Sequence, residues 1–213
     1  MQIFIEQVLQ QSITFFAILD PIGVSAILLS LLHAKTNKEQ INNIAYKTTI
    51  TIVIAFFVVL ILGNLILSMF GINLYSLKVI GGIVLILMAI QMLDSSKHTN
   101  ALSKEEDEEI KPQDDISIIP MAIPITFGPG MFSTIIILKN QSSSLLDISS
   151  IIIAFLINAI LLYYIFKNSI LIKNFLGITG QNIITKLMAL IVGAIAVQFI
   201  ISGTVNLGLL YLK

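Results

Sequence analysis

The chain has 213 residues, of which 56% are hydrophobic and only 11% are charged, and its formal net charge at pH 7 is zero. Soluble domains have roughly 25% charged residues, so this composition excludes a water-soluble globule and predicts an integral membrane protein. All of the basic residues are lysines, and without a basic patch we expect no nucleic-acid partner. The sequence has no cysteine, which excludes disulfides, a thiol nucleophile and a thiolate metal site.

Six apolar stretches are long enough to cross a bilayer, whose core of about 30 Å needs roughly 20 residues of helix. We therefore expect an all-α, polytopic protein with a single membrane domain, residues 1–213, and six transmembrane spans. The first span is expected to be retained, because the segment before it lacks the basic start of a signal peptide. In chain order the predicted spans are Val8–Leu32, Thr48–Phe70, Leu74–Leu93, Ser117–Leu138, Ser149–Phe166 and Ile183–Val205.

The distribution of lysines predicts the orientation, because short loops rich in lysine stay in the cytoplasm. The loops after spans 1, 3 and 5 contain Lys35, Lys38, Lys47, Lys97, Lys104, Lys111, Lys167 and Lys173, whereas the opposite side has Lys139 and Lys213. This predicts that both termini lie outside the cytoplasm. Lys78 and Lys186 lie near span ends, and we expect their ammonium groups to reach the membrane interface.

The longest predicted loop, residues 94–115, lies on the cytoplasmic side and contains five consecutive acidic residues, 105–109. We interpret it as a solvated linker rather than a metal site. Consecutive carboxylates repel one another and lack the alternating ligand spacing of a calcium loop.

The two halves of the sequence share a weak repeat. When the second half is shifted by about 108 residues, Pro21 and Ser25 in span 1 coincide with Pro129 and Ser133 in span 4. Glycine, lysine and glutamine positions in the later spans follow in the same order. Repeat one covers about 1–95 and repeat two about 116–213. Each contains three spans, an odd number, so the repeats are expected to have inverted topology.

Spans 1 and 4 are each predicted to break at mid-membrane. Asp20 precedes Pro21 in the middle of span 1, and Asp at an N-cap followed by Pro is a favourable helix start. The sequence Gly128-Pro129-Gly130 allows the same break in span 4. An ionised acid at this depth cannot face lipid. Asp20 is therefore either a functional group or a cap for a kinked helix.

Two helix N-termini that meet at the midplane can bind a carboxylate or another anion through free N–H groups and dipole ends. Asp20 could then accept a substrate ammonium or bind a coupling proton or sodium ion. No catalytic residue, metal or cofactor is predicted. The candidate substrate- or ion-binding residues are Asp20, Pro21, Gly23, Ser25, Thr126, Gly128, Pro129, Gly130, Ser133 and Thr134.

These motifs resemble the MarC family of bacterial integral membrane proteins over nearly the whole chain. The segments that carry the resemblance are residues 119–124 leading to Gly128-Pro129-Gly130, residues 70–82, and Asp20-Pro21-Ile22-Gly23. After Gly23 the family usually has Asn and, two residues later, Pro, whereas this chain has Val24 and Ala26. The resemblance implies a six-span inner-membrane protein related to SnatA-type neutral amino acid transporters and to the LysE superfamily of exporters.

Three classes of function remain open at this stage. The first is a secondary transporter of small neutral amino acids such as glycine and alanine, in which inverted halves move around a midplane site. The second, an intramembrane enzyme, is disfavoured because only one carboxylate lies deep in a span. The third is a non-transporting scaffold, in which Asp20 is a cap and the interior is sealed. The lipid bilayer is the expected environment, and a homodimer is consistent with so small a bundle, but no strong helix-packing motif identifies an interface.

Overall fold

A computed structural model of the protein describes residues 2–32, 37–94 and 117–212. Within these ranges the chain is helical and contains no β-strand. Apart from Asp94, the predicted acidic loop lies outside the described residues. The helices are α1 (Gln2–Leu19), α2 (Pro21–Leu31), α3 (Lys38–Met69), α4 (Leu74–Leu93), α5 (Pro129–Gln141), α6 (Leu145–Lys167) and α7 (Ser169–Tyr211), and an irregularly wound segment, Ser117–Thr126, precedes α5.

The described residues contain five helical stretches that are long and apolar enough to cross a membrane. The number rises to six if the bent pair formed by Ser117–Thr126 and α5 is one crossing. This confirms the all-helical, multi-pass architecture. The main difference from the prediction is that α3 begins well before Thr48, whereas α7 has a non-helical break at Gly177 and resumes only shortly before Ile183. Hydropathy locates the apolar stretch, whereas the helix extends as far as its backbone hydrogen bonds and caps allow.

Capping boxes define the first turns of two long helices. At the start of α3, Asn37 Oδ1 accepts a hydrogen bond from Gln40 N at 2.8 Å, and Gln40 Oε1 accepts one from Asn37 N at 2.9 Å. At the start of α6, Ser144 Oγ accepts from Asp147 N at 3.2 Å, and Asp147 Oδ2 accepts from Ser144 N at 3.0 Å. Such reciprocal bonds satisfy backbone donors that have no partner within the helix.

The segment Ser117–Thr126 is irregular because of its two prolines. Ile119 and Ile123, which precede Pro120 and Pro124, have extended backbone conformations with φ/ψ of −123°/124° and −132°/124°. A proline ring clashes with a helical conformation of the residue before it. The segment meets α5 at an angle of 58°, so the chain enters and leaves this region in different directions.

An aromatic cluster joins three helices in the core. Phe15 of α1, Phe56 of α3 and Phe155 of α6 are fully buried. The rings of Phe56 and Phe155 stack with centroids 3.9 Å apart, and the ring of Phe15 meets that of Phe155 edge-on at 5.4 Å. Such pairs stabilise by about 0.5–1.5 kcal/mol beyond the area that they bury.

Helices α4 and α7 approach closely along a seam of small residues. A Cβ atom on Gly82 would lie 2.7 Å from the carbonyl oxygen of Ala196, and one on Gly203 would lie 2.8 Å from that of Tyr75. Glycine is therefore required at both positions, because backbone atoms on the facing helix occupy the space.

The expectation that Lys78 reaches the interface is wrong. Its side chain is buried in the seam, and Nζ donates a hydrogen bond to Ser202 Oγ at 3.1 Å. The reason is that α7 covers the face of α4 on which Lys78 lies. Lys186, by contrast, is exposed on α7.

The helices of the two halves pack mainly against each other. In the first half, α1 packs on α6 and α2 packs on α7. In the second half, Ser117–Thr126 packs on α3, and α5 packs on α3 and α4. Helices α4 and α7 make the most extensive contact. The helices of the two halves of the sequence are therefore interleaved.

Candidate functional site

Asp20 lies at the junction of α1 and α2 and is 6% exposed. Its backbone is left-handed, with φ 38° and ψ 59°, a conformation that Asp tolerates better than most residues. Asp20 Oδ1 accepts a hydrogen bond from Gly23 N at 3.2 Å, so the carboxylate caps α2, whose first residue is Pro21. Thr185 Oγ1 of α7 also donates to Asp20 Oδ1, at 3.4 Å.

The second break lies at Gly128, the N-cap of α5, which Pro129 begins. No side chain caps this helix. The carbonyl oxygen of Gly128 accepts from the N–H groups of Met131 and Phe132 at 3.1 and 3.2 Å. The N-terminal end of α5 therefore presents a partial positive charge without a neutralising side chain.

A cavity of about 440 Å³, here called the central cavity, lies between the two breaks. Asp20 and Gly23 line it from the first half, and Gly128 and Pro129 line it from the second. The rest of its wall is mainly apolar, with Met88 among the contributors. The structure thus places a carboxylate and an uncapped helix start at one cavity.

The other six candidate residues are not part of the central cavity wall. Pro21 is buried in the first turn of α2, and a Cβ atom on Gly130 would lie 2.6 Å from Met88 Sδ of α4. The four hydroxyl groups all donate to nearby backbone carbonyls, Ser25 to Ile22, Thr126 to Met121, and both Ser133 and Thr134 to Gly130. These residues shape the breaks, and their contact with a ligand stays a prediction.

A second cavity of about 250 Å³, the α2–α7 cavity, lies next to the central cavity, and Gly23, Ile27 and Met92 line both. Helix α2 contributes Ala26 and Ser30, and α7 contributes Gln181 and Thr185. Sequence analysis missed Gln181 and Thr185. Their spacing of four residues places them on one helix face, but that spacing is common and gives no functional signal by itself.

A third cavity, of about 450 Å³, lies at the end of the molecule opposite the α2–α7 cavity. We call it the glutamine-lined cavity, because Gln7, Gln10, Gln11, Gln141 and Gln198 line it. Gln7 Nε2 donates to Asp147 Oδ1 at 3.2 Å at its edge.

A packed layer separates the glutamine-lined cavity from the central cavity. Along α1, the fully buried Phe15 lies between Thr14 of the former and Ile18 of the latter. Along α5, Met131 and Ile135 are likewise fully buried between the two cavities. These fully buried side chains lie along α1 and α5 between the residues that line the two cavities.

Within the described ranges, no group of three or more His, Cys, Asp or Glu side chains is placed to hold a metal ion. The chemistry available around the central cavity is that of the Asp20 carboxylate, which accepts from Thr185, the side-chain amide of Gln91 and two helix N-termini. Such groups can bind a small polar or zwitterionic solute by hydrogen bonds and charge.

The family pattern described as MarC family integral membrane protein matches residues 5–207. The chain belongs to the MarC family. It is 35% identical to the UPF0056 membrane protein YvbG of Bacillus subtilis over 90% of each chain. It is 31% identical to a UPF0056 membrane protein of Aquifex aeolicus, over 92% of this chain and 91% of the other. A UPF0056 membrane protein of Escherichia coli, YhcE, is 27% identical over 90% of this chain and 88% of its own. No solved structure matches the chain.

Val24 and Ala26, which follow Gly23 in α2, both lie in cavity walls. Val24 lines the central cavity and Ala26 lines the α2–α7 cavity.

Proposed function

We propose that this MarC family member is a secondary transporter of small neutral amino acids, with its substrate site in the central cavity. The observation that carries the proposal is that both helix breaks, at Asp20 and at Gly128-Pro129, line the same cavity. In this arrangement the two breaks lie at mid-membrane, where discontinuous helices commonly form the sites of transporters.

The proposal includes two inverted repeats of three spans, and local geometry supports it. Pro21 and Pro129 both occupy the first position of a helix that follows a break. Ser25 and Ser133 both bond to the carbonyl three residues earlier. Gly71 and Gly177, which precede the third span of each half, both have a φ of 64°.

The packing supports the same repeat. In the repeat, α1 corresponds to Ser117–Thr126, α2 to α5, α3 to α6 and α4 to α7. The contact of α2 with α7 then corresponds to that of α5 with α4, and the contact of α1 with α6 corresponds to that of Ser117–Thr126 with α3. The contact of α4 with α7 joins two corresponding helices, and so does the contact of α3 with α6. This is the pattern expected of two copies related by a pseudo-two-fold axis in the membrane plane.

The two ends of the molecule differ in a way that suits alternating access. The seam between α2 and α7 contains a cavity that lies next to the central cavity, whereas the equivalent seam between α5 and α4 is closed at Gly130. We interpret this conformation as open toward the side of Lys173 and closed toward the glutamine-lined cavity. Rocking of one half against the other would exchange the two.

The chemistry of the central cavity is suited to a zwitterion. The uncapped start of α5 is suited to a carboxylate. Asp20 is suited to an ammonium group or to a coupling proton or sodium ion. Because lysines are more numerous at the Lys173 end, we place that end on the cytoplasmic side of a bacterial inner membrane, with both termini on the outer side.

An enzyme and a scaffold receive less support. Among the buried residues of the described ranges, Asp20 is the one carboxylate, whereas general acid–base chemistry in a membrane needs a cooperating partner. A scaffold in which Asp20 serves only as a cap requires a sealed interior, but cavities adjoin Asp20 on the α2–α7 and α5 sides.

Counterflow in proteoliposomes tests the proposal. Liposomes are loaded with unlabelled glycine or alanine, and the same labelled amino acid is added outside. Glutamate and lysine serve as charged control solutes. We expect saturable counterflow of glycine and alanine by the wild type. Counterflow is expected to be lost in Gly130→Leu, because the new side chain overpacks α5 against Met88. It is expected to be retained in Gly208→Leu, where no atom lies within 4 Å of an added Cβ. Folded wild-type protein that exchanges none of the neutral amino acids would overturn the assignment.

A further inference from the structure

The side chain of Gln181 in α7 is a polar group that the proposed function leaves without a role. It is 3% exposed and lines the α2–α7 cavity. Its Nε2 atom has no hydrogen-bond partner within the described part of the chain. Buried donors in proteins are nearly always paired, so an amide nitrogen of this kind in a cavity wall is suited to an acceptor on a bound molecule.

The helix around Gln181 adds to this donor. Gly177 has a φ of 64° and a ψ of 175°, so the helical path stops there and resumes toward Ile178, which also lines the cavity. Gln181 therefore lies about one turn into a resumed helix. The N–H groups of a first turn lack partners within the helix, and the helix dipole is positive at this end. Both effects favour an anionic group beside Gln181.

Charged and polar groups are arranged along the cavity from its mouth to its base. Lys173 is exposed and lines the cavity, which places a cation on the approach to Gln181. Thr185, four residues beyond Gln181 on the same helix, donates to Asp20 Oδ1 at 3.4 Å. The wall thus runs from a cation and an amide donor to the Thr185 hydroxyl, which contacts the Asp20 carboxylate. A molecule with a carboxylate at one end and an ammonium at the other matches that order.

The size of the cavity fits the same class of molecule. Its volume is about 250 Å³, and a water molecule takes roughly 30 Å³ of liquid volume. A glycine or an alanine with a few waters fills such a space, whereas a large aromatic amino acid leaves no room for hydration.

We propose that, in the conformation open toward Lys173, Gln181 Nε2 binds the carboxylate of the transported solute in an entry subsite between Lys173 and Thr185, with the solute's ammonium group directed toward Asp20. The start of α5 takes over the carboxylate when the solute moves into the central cavity. The inference rests on the proposed transport function and assigns the recognition of one substrate group to one residue. It makes α7, rather than the two breaks alone, a determinant of specificity.

Binding of glycine and two analogues to the purified full-length chain tests this subsite. Glycinamide replaces the carboxylate of glycine by a neutral amide, and acetate lacks the ammonium group. Gln181→Met has nearly the same size without the donor, and Gln181→Glu replaces the donor by an acid. Asn206→Leu is the matched control, because Asn206 lies on the same helix and its amide donates to the carbonyl of Ser202. Dissociation constants are measured by calorimetry, and thermal midpoints without ligand verify folding.

We expect Gln181→Met to raise the dissociation constant of glycine by about tenfold or more, since a hydrogen bond to a charged group is lost. Gln181→Glu is expected to reverse the preference of the wild type, so that glycinamide binds more tightly than glycine. Asn206→Leu is expected to bind glycine like the wild type. If Gln181→Glu does not fold, the affinity of Gln181→Met for glycine tests the subsite by itself.

The outcomes separate the subsite from the function. Wild-type protein that binds and exchanges glycine while both Gln181 variants bind it with unchanged affinity would overturn the subsite and leave transport standing. Wild-type protein that neither binds nor exchanges glycine or alanine would overturn the proposed function and the subsite together.

Discussion

Asp20 combines two roles at the residue scale, because its carboxylate caps α2 and also faces the central cavity. Capping alone is a structural duty that Asn performs about equally well. Binding a proton or balancing the charge of a sodium ion requires the carboxylate. Substitution by Asn therefore separates the two roles.

For Asp20→Asn we predict that counterflow of glycine persists at reduced affinity, because the amide oxygen still accepts from the ammonium group, while accumulation driven by a proton or sodium gradient is lost. The side chain keeps its shape and its cap but can no longer carry the coupling charge. The measurement is the ratio of internal to external labelled glycine at steady state under an imposed gradient, which is expected to fall to equality. Accumulation at the wild-type level would rule out Asp20 as the coupling group.

Gly23 lines both the central cavity and the α2–α7 cavity. A Cβ atom there would overlap the Asp20 carboxylate and lie 2.6 Å from Thr185 Oγ1. We predict that Gly23→Ala weakens glycine binding by about tenfold, the effect of roughly 1.4 kcal/mol of overpacking. Calorimetry of glycine binding measures it, with Gly208→Ala as the control. Unchanged affinity would show that the junction at Gly23 is not used.

The sequence revealed some of these residues and not others for physical reasons. Asp20 and Pro129 stand out because acids and prolines are rare in apolar spans. Gln181 and Thr185 do not, because such residues also serve ordinary helix packing. Their proximity to Asp20 depends on how α7 packs on α2, which hydropathy does not encode.

At the scale of elements, span locations followed from hydropathy, but helix lengths and the surroundings of Lys78 did not. The early start of α3 depends on the capping box at Asn37, a local hydrogen-bond pattern rather than an apolar one. The burial of Lys78 depends on contact between α4 and α7, which lie far apart in sequence. Long-range packing decides whether a charged side chain is accessible and how closely α4 and α7 approach each other.

The α4–α7 seam makes a direct prediction about stability. In Gly82→Val the new side chain meets the carbonyl oxygen of Ala196, which cannot move without shifting α7. We predict a loss of about 1–3 kcal/mol, measured as unfolding in detergent by circular dichroism. Gly193→Ala is the matched control, since its Cβ would meet Ala89 Cβ at an ordinary 3.8 Å. Equal stability of the two variants would contradict the close approach of the helices.

At the scale of the whole molecule, the α2–α7 cavity and the glutamine-lined cavity lie on opposite sides of a packed layer. The absence of cysteine from the chain allows single cysteines to report on each side. We predict that a membrane-impermeant thiol reagent labels Gln198→Cys from outside the cell and Ser30→Cys from the cytoplasmic side. Oriented membrane vesicles of both polarities distinguish the two. Labelling of both positions from one side would contradict the proposed topology.

The central claim is that the central cavity opens alternately to the two sides. Met131 tests it most directly, because it is fully buried in the packed layer and, by the repeat, corresponds to Gly23. The measurement is the rate at which an external, impermeant thiol reagent modifies Met131→Cys, with and without glycine exchange. Because labelling is irreversible, molecules that have visited the outward-open state stay modified. We therefore expect modified Met131→Cys to accumulate during exchange, while Ser30→Cys becomes less reactive from the cytoplasmic side. Met131→Cys that stays unmodified while glycine exchanges would contradict alternating access at this site.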